Sequence, residues 1–155
     1  MSATTLFWDV MGRASQYTPY RLHRWLYQRT GGKIGGVYPG MKLRALLLTT
    51  TGRKSGVPRT HPLMYYQDGQ NFVVAASNAG ADKPPLWYLN LKSHPEAKVQ
   101  AQDEIHNVVA HEASGQEHTC LWGILSELHP MFAAHQRSTA RQIPVMVLQP
   151  IQETE

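Results

Sequence analysis

Cysteine is nearly absent: the 155 residues hold one, Cys120. A lone thiol excludes an internal disulfide and suits a reducing compartment, so the chain is expected in the cytoplasm. Long apolar runs are missing too. No stretch approaches the roughly 18 residues of a membrane span, and no signal-peptide pattern opens the chain, so a soluble protein is expected. Acids are scarce in one part only. Residues 1–60 carry ten Lys/Arg against a single acid, Asp9, whereas residues 61–155 carry five against ten. That polarity implies an anionic partner on the N-terminal side: a phosphorylated or polycarboxylated small molecule, a nucleic acid or an anionic lipid. Nucleic acid is set aside, because no recognition helix or aromatic interleaving accompanies the basic residues.

The signatures of several chemistries are also lacking. There is no cysteine pair and no HExxH. His106, His111 and Glu112 lie close in sequence, yet alternation sends the two histidines to opposite faces of a strand, and no metal site is expected. Neither a serine nor Cys120 stands in a nucleophile-elbow or cysteine-protease context. Any chemistry would then come from a bound cofactor.

What is present is organised around LLLTTTGRKSGVPRTHPLMYY, Leu46 to Tyr66. The β-branched, apolar run Leu46–Thr51 reads as a buried strand and Pro58–Tyr66 as its partner. Between them lies Gly52-Arg53-Lys54-Ser55-Gly56. Both glycines can take positive φ at no steric cost, which lets backbone N–H groups converge beside Arg53, Lys54 and Arg59, with Ser55 and Thr60 as small donors. Cations and exposed amides at a strand end suit a phosphorylated ligand; the alternative is a plain hairpin with solvated charges. GRKSG lacks the spacing of a nucleotide-binding P-loop.

The 155 residues make one domain, with residues 1–36 as an N-terminal helical extension. Residues 3–29 read as helical, divided at Pro19. Arg13, Arg21, Arg24 and Arg29 lie among its aromatics, which admits a peripheral contact with an anionic membrane face beside simple packing. Gly31 to Gly40 is a glycine-rich connector without the spacing of a dinucleotide fingerprint. Gln67-Asp68-Gly69-Gln70 predicts a tight turn of type I′, followed by a strand over Asn71–Ala76. The small residues Ala75-Ala76-Ser77-Asn78-Ala79-Gly80-Ala81 leave room for a flat ligand against the backbone. Pro84-Pro85 introduces a helix over Leu86–Lys92, with Trp87, Tyr88 and Leu91 as core. Two strands follow, Lys98–Gln102 and Ile105–Ala113. Ser114-x-x-Glu117 reads as a capping box for a helix to Glu127, Pro130 starts another, and Ile143–Leu148 is a last strand. The fold class is α+β: a small antiparallel barrel with flanking helices.

The runs TTTGRKSGVPRTHPL and FVVAASNAGADKPPLWYLNLKSHPEAKVQ closely resemble the deazaflavin-dependent nitroreductase family, over roughly residues 38–102 plus IPVMVLQP. The resemblance implies a split β-barrel, coenzyme F420 as cofactor, and hydride transfer to an electron-poor acceptor such as a quinone, an enone or a nitro compound. It implies phosphate and polyglutamate contacts at Arg53, Lys54 and Ser55, continued by Arg59, Thr60, His61, Pro62, Leu63 and Met64. Ala75, Ala76 and Ser77 match backbone positions along the deazaflavin ring. Leu86, Trp87, Tyr88, Leu89 and Asn90 match the helix start that closes over the cofactor. Asn78 stands where the family often has lysine, which removes one phosphate contact. Nitroreducing members place tyrosines on the helix before the final strand, facing the substrate; the matching positions are His129, Phe132 and His135. Two alternatives stay open: an FMN-dependent oxidoreductase on the same barrel, or a carrier that binds F420 without turnover.

Overall fold

The computed structural model describes residues 20–37 and 42–152 of the chain. In order these form α1 (Tyr20–Thr30), β1 (Arg44–Thr51), β2 (Pro58–Asp68), β3 (Asn71–Ala75), a 3-10 turn (Asn78–Gly80), α2 (Leu86–Ser93), β4 (Glu96–Ala101), β5 (Glu104–Glu112), α3 (Gly115–Leu128), α4 (Met131–Arg137) and β6 (Val145–Pro150). The helix expected from residue 3 and its break at Pro19 lie outside the described residues. The strands close into one barrel in the order β1-β2-β3-β6-β5-β4, every pair antiparallel. That is the α+β barrel with flanking helices that the pattern of strands and turns implies.

Period-two alternation explains which residues go where. Leu46, Leu48, Val74, Val99, Val108 and Leu148 point into the barrel and are fully buried. The intervening Val73, Ala75, Val145 and Val147 point outward and are buried instead under Leu121, Leu125 and Phe132 of α3 and α4. β3 and β6 are thus covered on both faces, which is why NFVVA and VMVL read as continuous apolar runs. Each buried Val, Leu or Phe side chain contributes about 1.5–3 kcal/mol by leaving water.

The register sorts the connections into two ends. Thr51 pairs with Pro58 and Ala75 with Val145 at one end, here the turn end. Asp68 pairs with Asn71 and Ala101 with Glu104 at the other, the hairpin end. α2 plugs the turn end, setting Trp87 and Leu91 into the interior cluster. α1 is stapled to the hairpin end by fully buried Tyr27, whose hydroxyl donates to Ala45 O (2.8 Å) and accepts from the Gln102 N–H (2.9 Å).

Two local expectations are corrected. The β2–β3 loop is Gly69-Gln70, and of its two central residues only Gly69 has positive φ (60°), the pattern of a type II′ rather than a type I′ turn. Ser114 is the N-cap of α3, but no capping box forms. Gly115 enters the helix at φ 56°, and the Glu117 carboxylate accepts from His111 Nε2 at 3.0 Å instead.

Candidate functional site

The turn between β1 and β2 is closed by Gly52 N–H to Val57 O (2.9 Å) and Gly56 N–H to Gly52 O (2.8 Å). Of the two glycines, Gly56 takes positive φ (69°) and Gly52 does not. Gly52 is required for space, since a Cβ there would sit 2.6 Å from Ser55 Oγ. Ser55 Oγ accepts from the Val57 N–H at 3.2 Å, so it shapes the turn and keeps its own proton to donate. The turn is staked to α2 by buried Asn90, whose Oδ1 accepts from Arg53 N–H (3.1 Å) and whose Nδ2 donates to Thr50 Oγ1 (3.0 Å). Asn90 therefore positions the turn with its side chain. Arg53, Lys54 and Arg59 are exposed, and among the described residues no carboxylate pairs with any of them.

The segment Thr60–Met64 does not form a single wall. His61 and Leu63 share the inward parity of their partners Leu48 and Leu46; Thr60, Pro62 and Met64 face outward. Thr60 Oγ1 lies 2.8 Å from Thr49 Oγ1. In α2, Leu86 is exposed, Tyr88 and Leu89 are half-buried, and Trp87 belongs to the core. Tyr88 OH and Lys92 Nζ both donate to Glu112 Oε2, at 2.9 and 2.8 Å.

Ala75, Ala76 and Ser77 leave the barrel at the same end and are buried. The Ala76 N–H is taken up by Pro144 O (2.8 Å), so it is closed to a ligand. Asn78 and Ala79 turn through left-handed φ, 46° and 54°, and Asn78 Nδ2 donates to Lys83 O (2.9 Å). Gly80 then lies flat against α4: a Cβ there would meet His135 O at 2.8 Å and Ser138 Cβ at 3.0 Å. A residue with no motif around it, Arg141, fastens the whole segment. Its Nη1 and Nη2 donate to Ala76 O (3.2 Å each), Nη2 to Ser77 O (2.8 Å) and Nε to Ala81 O (2.8 Å). Sequence reasoning missed it because the only sequence signal is an isolated arginine before Gln142-Ile143-Pro144.

α4 thereby carries Phe132 and His135 to the turn end, while His129, expected on the same helix, is the C-cap of α3, two residues before α4 begins. Phe132 is buried in the outer cluster and packs between the two imidazoles, 5.5 Å from His129 and 6.3 Å from His135. The histidines are half-buried. Burial holds both below the ordinary histidine value, and the neighbouring His129 lowers His135 further. His129 Nδ1 accepts from Met131 N–H at 3.4 Å, leaving Nε2 to carry the proton of the neutral ring. His135 Nδ1 is buried with no hydrogen-bond partner among the described residues. His61, across the barrel mouth, is likewise lowered by burial and then by Arg59.

The larger cleft, of about 500 Å³, is elsewhere: Tyr65, Gln67, Phe72, Asp103, Glu104 and His106 line it at the hairpin end. Its acids have the wrong sign for an anionic ligand. A second cleft of about 400 Å³ lies between His118 and Trp122 of α3 and Gln136, Ala140 and Gln142 of α4 and the connection to β6.

Known proteins resemble the chain over most of its length. The family model described as F420H(2)-dependent quinone reductase matches residues 19–150. The chain belongs to that family. The quinone reductases form an oxidoreductase family with coenzyme F420 as cofactor, and the match narrows the looser nitroreductase resemblance. An F420H(2)-dependent quinone reductase of Mycobacterium tuberculosis (strain ATCC 25618 / H37Rv) is 37% identical over 131 residues, 83% of this chain and 87% of its own. A solved F420-H2 dependent reductase is 37% identical, with a TM-score of 0.64 over 68% of this chain and 93% of that one. A second, described as a domain-swapped dimer, is 32% identical with a TM-score of 0.66 over 88% and 99%.

The turn end fits the quinone reductases' cofactor on the structure's own terms. Three exposed cations without acidic partners suit an anionic tail, and a strip of small residues suits a flat ring. The charge asymmetry of the sequence needs correction, however. Arg21, Arg24, Arg29, Lys33, Lys42 and Arg44 are carried by α1, its following turn and the start of β1, on the hairpin-end side. Among the described residues, the cations of the first 60 are therefore split between both ends, with Arg53, Lys54 and Arg59 at the turn end.

Proposed function

We propose that the chain reduces a quinone-type acceptor at the turn end of the barrel. Arg53, Lys54 and Arg59 hold the phosphate and carboxylates of the coenzyme F420 tail. The backbone from Ala75 to Asn78 receives the ring. His129 and His135 present imidazole N–H groups to the acceptor, with Phe132 fixing the distance between them. Bound and reduced, coenzyme F420 supplies the hydride. The chain supplies position, charge and a proton source for the oxygen that gains charge. One observation carries the reading: the strand register gathers three segments far apart in sequence at one end.

Imidazoles at His129 and His135 and a phenyl ring at Phe132, where the resemblance gives nitroreducing members tyrosines, support quinone or enone acceptors over bulky nitroaromatics. Turnover of reduced coenzyme F420 with a panel of quinones and enones tests the activity. Tighter binding of FMN than of F420 would favour the flavin alternative, and binding without turnover would favour a carrier.

A peripheral membrane contact is a second proposal, supported by exposed Leu22 and Trp25 beside Arg21, Arg24 and Arg29 on α1. No helix among the described residues is long and apolar enough to cross a membrane. Co-sedimentation with anionic vesicles tests the contact; equal recovery with neutral vesicles would refute it.

A further inference from the structure

We infer that Arg141 is the positioning residue of the ring site: by gripping carbonyls on one side of the 76–78 backbone it presents the Ser77 and Asn78 N–H groups on the other. The inference rests on the cofactor placement proposed above. A trans peptide holds its C=O and N–H antiparallel, and no described peptide is cis. Arg141 binds Ala76 O, so the Ser77 N–H of that same peptide points away from the guanidinium. It binds Ser77 O, so the Asn78 N–H points away as well. Among the described residues neither N–H has an acceptor, whereas the flanking Ala76, Gly80 and Ala81 amides all do. Ser77 is right-handed helical (φ −75°, ψ −32°) and Asn78 takes a left-handed φ of 46°. That succession converges neighbouring N–H groups on one concave point, the geometry that receives an oxygen carrying negative charge.

The guanidinium suits this task better than an ammonium would. Its planar fork reaches three carbonyls at once, including Ala81 O, so the strip is held at both its start and its end. The hydroxyl of Thr139 accepts from the Arg141 N–H (3.3 Å) and donates to Asp82 Oδ1 (2.9 Å), tying the arginine's own loop to the segment after the strip. A deazaflavin ring presents carbonyl oxygens along one edge, and reduction adds negative charge there. Two pre-aimed amides would orient that edge without reorganisation.

Oxidised coenzyme F420 is the probe. Arg141→Gln is expected to weaken its binding about tenfold, the loss of well-directed hydrogen bonds to charge. The visible absorption band of the bound cofactor should move toward that of the free one. Arg141→Lys, which keeps the charge but not the fork, should fall between parent and Arg141→Gln on both readouts. A merely structural arginine would lower the thermal midpoint and leave the band of the bound cofactor where it is. In the wild-type protein, the NMR amide signals of Ser77 and Asn78 should shift on saturation with the cofactor. Parent affinity and band position in a folded Arg141→Gln variant would overturn the inference. So would unmoved Ser77 and Asn78 amides at saturation, a result that decides the matter alone if the glutamine variant does not fold. In either case the wild-type protein still binds, and the proposed function stands. Failure of the wild-type protein to bind the cofactor would instead overturn the functional reading, and this inference with it.

Discussion

The two ends of one barrel are built from the same strands and face opposite tasks. The hairpin end has the larger cleft, two acids in its lining and a buried tyrosine stapling a helix across it. The turn end has, among the described residues, three cations without acidic partners, two backbone amides without acceptors and two half-buried imidazoles. The two ends differ in the charge and the ready donors they present. A large anionic cofactor is recognised by charge and by donors held ready, and those can lie on an open rim.

The sharpest way to break the contrast is to remove charge from each end in turn. Arg59→Ala should weaken binding of oxidised coenzyme F420 about ten- to a hundredfold, the loss of a charge-assisted hydrogen bond worth roughly 1.5–3 kcal/mol. Glu104→Gln, at the hairpin end, should leave the affinity at the parent value. Titration by cofactor fluorescence measures both. Equal losses would mean that the ends are not distinguished by charge.

A second test addresses how the turn is held. Asn90→Leu leaves the Thr50 hydroxyl, only 1% exposed, and the Arg53 N–H without their partners. The expected cost is about 1–3 kcal/mol of stability, read by urea unfolding. Affinity should fall as well, because Arg53 is no longer fixed. A stable variant with parent affinity would show that the stake is dispensable.

The smallest expected effect concerns pH. His61, His129 and His135 all lie at the turn end, and burial depresses each below the ordinary 6.5. The unfolded chain then binds more protons than the folded one in the window beneath that value. The stability this contributes is present above about pH 6.5 and is lost as pH falls through the depressed folded values. His135→Phe should therefore flatten the acid-side decline of the thermal midpoint. Its quinone turnover should also lose part of its pH dependence when assayed from about pH 5 to 9. Identical profiles for parent and variant would make the imidazole a spectator.

The fold was legible because local signals agreed with one another. Alternation, turn glycines and the Pro84-Pro85 helix entry all survive in the barrel. The RKS turn was legible for the same reason, since its chemistry lies in one short stretch. Two features were not. The basic residues among the first 60 suggested a partner on one N-terminal side, yet β1 runs from one end of the barrel to the other, so the described cations before it and after it are dispersed in space. Arg141 acts on carbonyls 60 to 65 residues away, and no spacing rule announces such a contact. Ser114 and Glu117 show the converse: a correct motif can be overruled when Gly115 takes a left-handed φ and His111 draws the carboxylate.

The central claim is that the cations of the β1–β2 turn capture the tail of the cofactor, and ionic strength tests it most directly. Affinity for oxidised coenzyme F420 should be titrated at low and high salt for the parent and for an Arg53→Ala, Arg59→Ala double variant. Screening weakens exposed pairs, so the parent's affinity should fall with salt while the variant, already weak, changes little. A variant that keeps the parent's salt dependence would place the tail on other charges and contradict the account.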